Sequence, residues 1–270
     1  LLVIFRLAEE KNNLRIETQF INAPFLRSRS GLKFPQRTPK NRNLWYLHPQ
    51  LHQQSTVPMV KDFLVFLDAG HGALDAAGNY VTAPSKQHKH SKGEFHKDGW
   101  FYEGVFNRTV TNLVARKLRD LSIPYYIVSH EYVDISLHYR VDVANWLAKK
   151  VKKSLYISNH ANAGGGSARG FEIFTSPGRT NSDKVAELHW NNVKDTVGDR
   201  ISRYRSDTSD GDHDKEARFF VLTRTSMPAI LVEHLFFDNY EDALLLMDDE
   251  IVERFAEAQV RTIIEAQGVL

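Results

Sequence analysis

The stretch FLVFLDAGHG, residues 63–72, is a run of five apolar residues that stops in a turn carrying Asp68, Gly70, His71 and Gly72. A short segment that is apolar at every position has no polar face to show to water. It reads as a strand covered on both sides, the condition of a parallel sheet sandwiched by helices. The histidine between two glycines at its end has three readings: a ligand, a closing turn, or part of a phosphate loop. GHGALDAAG, which continues the chain, has neither the lysine of a P-loop nor the G-x-G-x-x-G spacing, which counts against phosphate.

The pattern repeats downstream. Phe106, Val110, Leu113, Leu118 and Leu121 fall on one helical stripe. YYIVS (125–129) is a second strand. Leu137, Val141, Ala144, Ala148 and Val151 mark another helix, with Ser136 placed to cap it. SLYIS (154–158), FEIFT (171–175) and AILVE (229–233) read as further strands, with a helix near 181–199 between the last two. Ile251, Phe255, Val260, Ile263 and Ile264 mark a closing helix, with Gly268 just past its end. Alternating strands and helices predict an α/β fold: a twisted, mostly parallel sheet of about six strands with helices on both faces.

In such sheets ligands sit at the carboxyl ends of the strands. Three strands end there in polar, metal-capable residues: Asp68 and His71 after the first, His160 in SNHAN, and Glu233 in LVEH. Two histidines and one carboxylate suit a catalytic zinc, which keeps its fourth position for water. Glu103 is the preferred carboxylate, because it opens the helix that follows the first strand. Asn107, one turn later, is placed to orient it. Glu94 competes from inside the loop. A hydrolytic zinc site also needs a general base, and Glu233 at the end of a buried strand fits, since desolvation raises a carboxylate's pKa. Taken singly, each residue has a plainer reading: His71 a turn, His160 a core histidine, Glu103 a helix-start charge, Glu233 half of a buried ion pair.

Four segments together resemble the zinc-dependent N-acetylmuramoyl-L-alanine amidases, the peptidoglycan amidases of bacteria and phages. They are LDAGHG, EGVFN, SNHAN and MPAILVEHLFFDN, in the family's order and spacing, and the likeness spans about residues 63 to 267. HYRVDVAN and ARGFEIF also look like the family. The resemblance implies one zinc ion on His71, Glu103 and His160, with Glu233 as catalytic carboxylate. Asn107, Asn162 and Arg140 would support the ligands or bind substrate. It implies peptidoglycan as substrate, cleavage between N-acetylmuramic acid and L-alanine, and action at the cell wall, periplasmic, extracellular or phage-delivered. A catalytically silent wall-binding domain, or a zinc amidohydrolase with another substrate, are the alternatives; the presence of all four candidate residues favours the enzyme. Two positions depart from the family: Asn159 where an apolar residue is usual, and His234 where a small one is usual.

The rest of the chain adds limits. It has no cysteine, which excludes disulfides, thiolate ligands and a cysteine nucleophile. Between Glu17 and Asp62 there is no acidic residue, while Arg27, Arg29, Lys33, Arg37, Lys40, Arg42 and Lys61 fall there with five of the nine prolines. Residues 1–60 therefore read as a basic, Pro-rich arm with a strand near LRIETQF (14–20), ahead of a catalytic domain over 61–270. The arm would drape over a domain or dock on an anionic wall polymer or a protein. No nucleic-acid partner is expected. No stretch reaches the roughly 18 apolar residues of a membrane span, and the opening LLVIF is too short for a signal-peptide core. The loop 73–102, rich in His and Lys, reads as solvated, as a lip over the substrate, or as a second metal site through HKH (88–90). DTSDGDHDK (207–215) faintly resembles a calcium loop without its closing glutamate. GGGSARG (164–170) reads as a flexible rim.

Overall fold

The computed structural model describes the strands β1 (Leu2–Glu10) and β2 (Asn13–Ile21) and residues 62–270. β1 and β2 pair antiparallel, in register from Leu2 opposite Ile21 to Glu10 opposite Asn13. They fall in one unit of the chain, Leu1–Ser55, and the α/β body falls in another, Thr56–Leu270. The Pro-rich part of the basic arm lies outside the described residues.

The body runs in chain order through β3 (Phe63–Ala69), β4 (Gln87–Lys89), β5 (Trp100–Tyr102), α1 (Glu103–Asp120), β6 (Tyr125–Ile127), α2 (Leu137–Ala148) and β7 (Lys153–Asn162). It continues with β8 (Glu172–Thr175), α3 (Asn181–Val197), β9 (Lys215–Glu216), α4 (Phe220–Arg224), β10 (Ala229–Phe236), α5 (Tyr240–Leu246) and α6 (Asp249–Val269). Six strands form one sheet in the order β6-β3-β7-β10-β8-β9. β6, β3, β7 and β10 are parallel; β8 runs antiparallel to β10 and carries β9 at its outer edge.

The sheet is covered on both faces, as an all-apolar β3 requires. On one side Val65, Leu67, Leu155, Ile157, Ile230 and Val232 pack with α1, α3 and α6; on the other Phe66, Tyr156 and Leu231 pack with Val141, Ala144 and Leu147 of α2 and Val221 and Leu222 of α4. The helical stripes are right in their middles and wrong at their ends. Leu121 is the C-cap of α1 and Leu137 opens α2, and both are exposed. Ser136 caps α2 by accepting from the Tyr139 amide at 3.2 Å, and that helix ends at Ala148, not Val151. Gly268 falls inside the last turn of α6. Among the described residues no helix is long and apolar enough to cross a membrane.

The loop 73–102 is solvated only in part, with residues 91–94 exposed. β4 and β5 pair within it, Phe101 is fully buried and Phe95 nearly so. His90 stacks on Phe95 and its Nε2 meets the Phe237 carbonyl at 3.0 Å; His96 Nδ1 accepts from the Tyr102 amide at 2.9 Å. His90 and His96 are structural, because their apolar neighbours pull them inward.

Arg140 ties the end of β3 to α2. Its guanidinium and the Asp68 carboxylate are each 1% exposed and meet at 2.6 Å. Arg140 also donates to the Ala69 carbonyl and to Asp134, while Tyr156 and Ser158 hydroxyls donate to the other Asp68 oxygen, each at 2.9 Å. Burial raises the Asp68 pKa, but the charge and hydrogen bond of Arg140, aided by His160 and Ser158, outweigh it, so the carboxyl sits below its ordinary value. Arg140→Met leaves Asp68 buried without its cation and should lower stability by about 3–5 kcal/mol in denaturant unfolding. Adding Asp68→Leu should recover part of that loss.

Candidate active site

The parallel topology delivers three distant segments to one edge. β3 ends level with Asn159, and Glu233 on β10 is the register partner of His160 on β7. α1 begins at Glu103, directly after β5, so its first residue is carried over the same edge. His160 Nδ1 lies 3.0 Å and His71 Nε2 3.2 Å from the same oxygen of Glu103, Oε1. One ligand atom from each residue lies within 4.8 Å of the others, and this is the group of three among the described residues able to hold a metal ion. The donor set fits a metal. Glu103 is 1% exposed, its Oε2 has no hydrogen bond, and neither has His71 Nε2, a state that a cation resolves. Burial raises the Glu103 pKa, but the hydrogen bond of His160 and the closeness of both imidazoles hold it below the usual carboxylate range. Burial lowers that of His160.

The turn 68–72 aims His71 through the histidine's own backbone. His71 itself takes the left-handed backbone, φ 62°, a conformation uncommon outside glycine. Gly70 and Gly72 are needed for space. A Cβ on Gly70 would lie 2.1 Å from Cε1 of His160, and one on Gly72 would lie 1.9 Å from the Val81 carbonyl oxygen. Side chains hold the carbonyls of this turn. Arg140 takes that of Ala69 at 2.8 Å, Asn107 that of Gly70 at 3.1 Å, and Arg108 that of His71 at 2.7 Å. Asn107 also reaches Glu103 Oε1 at 3.4 Å. Arg108 is a residue that sequence reading missed; its only signal is that it follows Asn107 in EGVFNR.

Glu233 stands beside the cluster. Its Oε2 is buried without a hydrogen bond. Burial, then the charge of Glu103, pushes its pKa well above the ordinary carboxylate value, opposed by Lys86. Lys86 Nζ lies 3.6 Å from Glu103 Oε2. Glu172, opposite Glu233 on β8, is a different case, since Asn162 and Lys215 donate to it, each at 2.7 Å, and Arg205 pairs with it. Asn162 thus serves Glu172. Arg140, with no exposed surface to offer a substrate, serves Asp68. Asp68 is not in the metal group, and Glu94 lies exposed in its loop.

Asn159 and His234 prove to be one interaction. Neighbours along a strand face opposite ways, so both point into the α1–α6 layer while His160 and Glu233 face the site. His234 Nε2 meets Asn159 Oδ1 at 3.0 Å; Asn159 also bonds Gln259 in both directions and Thr111 at 3.1 Å. Each is a polar group that an apolar or small partner would orphan.

The loop 207–215 supplies no third metal-capable side chain to a group. Asp214 is buried and accepts from Thr175 Oγ1 at 2.5 Å. Burial first, then Asp212 and Asp183, pushes its pKa up to about 7.

The family model described as N-acetylmuramoyl-L-alanine amidase matches residues 65–265. An endolysin of Bacillus phage SPP1 is 28% identical over 207 residues, 75% of this chain and 65% of the endolysin. The sporulation-specific N-acetylmuramoyl-L-alanine amidase of Bacillus subtilis (strain 168) is 26% identical over 215 residues, 75% of this chain and 67% of that protein. Two solved N-acetylmuramoyl-L-alanine amidases share the fold. That of Clostridium difficile 630 superposes with TM-score 0.59 at 22% identity over 76% of this chain and 96% of its own. That of Mycobacterium smegmatis gives 0.59 at 22% over 78% and 99%.

Two measurements follow from the buried polar groups. Asn159→Leu and His234→Leu should each destabilise by ~1–3 kcal/mol, and the double variant by less than their sum, because each single change orphans the other partner. Between about pH 4, the unfolded value, and about 7, native Asp214 holds a proton the unfolded chain has lost. Stability should therefore fall as pH rises through that window. Asp214→Asn should flatten this fall, raising Tm at pH 8 relative to the parent and not at acid pH.

Proposed function

This chain belongs to the N-acetylmuramoyl-L-alanine amidase family, and we propose that it uses one zinc ion on His71, Glu103 and His160 to hydrolyse the amide between the lactyl group of N-acetylmuramic acid and L-alanine in peptidoglycan. The observation that carries this is the approach of both imidazoles to one oxygen of Glu103, with Glu233 next to His160 across the β7–β10 register. Two nitrogens and one carboxylate oxygen are the donors of a catalytic rather than a structural zinc. When bound, such an ion polarises a carbonyl and lowers the pKa of water.

The chain's own groups do the rest. Glu233 takes the proton of the attacking water, because its burial and the nearby Glu103 charge favour its protonated form and its free Oε2 has no competing donor. The water oxygen bonds to the carbonyl carbon. As the carbon–nitrogen bond breaks, Glu233 hands the proton to the departing nitrogen, which leaves as the amino terminus of the stem peptide. Asn107 steadies Glu103, and Arg108 and Arg140 hold the turn that carries His71, so the geometry is set before substrate arrives. Glu172 is kept from acting as a second base by Lys215 and Arg205. The names of the relatives, an endolysin and a sporulation amidase, support action at the cell wall, in lysis or in remodelling.

Zinc-loaded protein should release stem peptides with L-alanine amino termini from purified peptidoglycan, read by mass spectrometry. Glu233→Gln should keep its zinc and lose about 10²–10⁴-fold in kcat. A chelator should abolish activity and added zinc restore it. Peptidoglycan left intact by the zinc-loaded parent would overturn the assignment.

A further inference from the structure

Loop 73–102 carries the side chain of Lys86 to the site. The backbone around it is fixed on both sides. Pro84–Lys86 forms a single 3-10 turn, and Gln87 then enters β4 opposite Tyr102 of β5. The Tyr80 hydroxyl donates to the Lys86 carbonyl at 2.8 Å and accepts from the Gly104 amide at 2.9 Å, which ties the loop to the first turn of α1 beside Glu103. Burial pushes the Tyr80 pKa up, so the hydroxyl stays protonated and able to donate.

From this anchor the ammonium reaches within 3.6 Å of Glu103 Oε2, the oxygen turned away from the imidazoles, and its charge is felt at Glu233. Its side chain is 37% exposed. Among the described residues Lys86 Nζ makes no hydrogen bond. The neighbouring cations are engaged: Arg108 and Arg140 with turn carbonyls and Asp68, Arg205 and Lys215 with Glu172. Among the described residues near the site, Lys86 is therefore the cation that stands against Glu103 without a hydrogen bond of its own.

We propose that Lys86 is a further catalytic residue, whose ammonium donates a hydrogen bond to the oxygen of the scissile carbonyl as that oxygen becomes negative. The proposal rests on the amidase reading above. When the water oxygen bonds to carbon, the carbonyl electron pair moves onto oxygen. Lys86 keeps its proton and stabilises that charge, and the pair returns as the carbon–nitrogen bond breaks. A neutral carbonyl gains little from a nearby ammonium and an oxyanion gains much, so the contact acts on the barrier more than on binding. An ammonium meant for a distant carboxylate of the stem peptide would stand at the rim. This one stands against Glu103.

The test compares zinc-loaded parent, Lys86→Met, Lys86→Arg and Glu233→Gln on a soluble muramoyl-peptide, with zinc content, Tm and affinity for a phosphinate analogue of the tetrahedral state. Lys86→Met should lose about 10²–10³-fold in kcat, with KM, Tm and zinc content unchanged. Its affinity for the phosphinate should fall while its affinity for the intact substrate, measured in the Glu233→Gln background, does not. Lys86→Arg should recover part of the rate. A rise in KM with kcat intact would make Lys86 a binder of substrate carboxylate and overturn the proposal. Loss of zinc would make it a support of Glu103 and overturn the proposal too, as would unchanged kinetics. An inactive parent would overturn the amidase reading, and this proposal with it; an active parent matched by Lys86→Met would overturn this proposal alone.

Discussion

The buried pair of Asp68 and Arg140 is the tie on which the site depends. A parallel strand must end somewhere, and where it ends its last carbonyls lose their sheet partners. Here those carbonyls belong to Ala69, Gly70 and His71, and the last of these residues has an unfavourable backbone conformation. Arg140, held by Asp68, takes the first carbonyl; Asn107 takes the second and Arg108 the third. Helices from both faces of the sheet thus grip one turn. The strain at His71 persists because these bonds over-determine the backbone around it.

Four acidic side chains crowd this edge, and their surroundings give each a separate task. Asp68 meets an arginine and two hydroxyls and stays ionised as a strut. Glu172 is matched by Asn162, Lys215 and Arg205. Glu103 faces two imidazoles through one oxygen and Lys86 through the other. Glu233 alone among the four accepts no hydrogen bond, and burial beside the charge of Glu103 makes it hold a proton more tightly than an ordinary carboxylate. Identical carboxyl groups are thus given different charge and proton affinity by what lies within hydrogen-bond reach.

Some readings of the sequence failed for physical reasons that can be named. The loop 73–102 looks polar because lysines and histidines dominate its count, yet Phe95 and Phe101 draw it into the core and the histidines follow. Asn159 and His234 look like two independent oddities because 75 positions separate them, whereas parallel pairing of β7 with β10 brings them to 3.0 Å. Arg108 gives almost no signal, because an arginine in the first turns of a helix is ordinary. Only the neighbouring carbonyls make it structural.

The sequence by itself determined the α/β class, the order of strands and helices, and the four residues that meet at the sheet edge. Apolar periodicity and short polar strand ends are local properties, readable one segment at a time. The tertiary structure alone decided that Gly70 and Gly72 serve close approach, that Arg140 props a turn, and that Lys86 enters the site from a loop. These depend on which groups from distant segments come within a few ångströms of one another, and no local pattern records that distance.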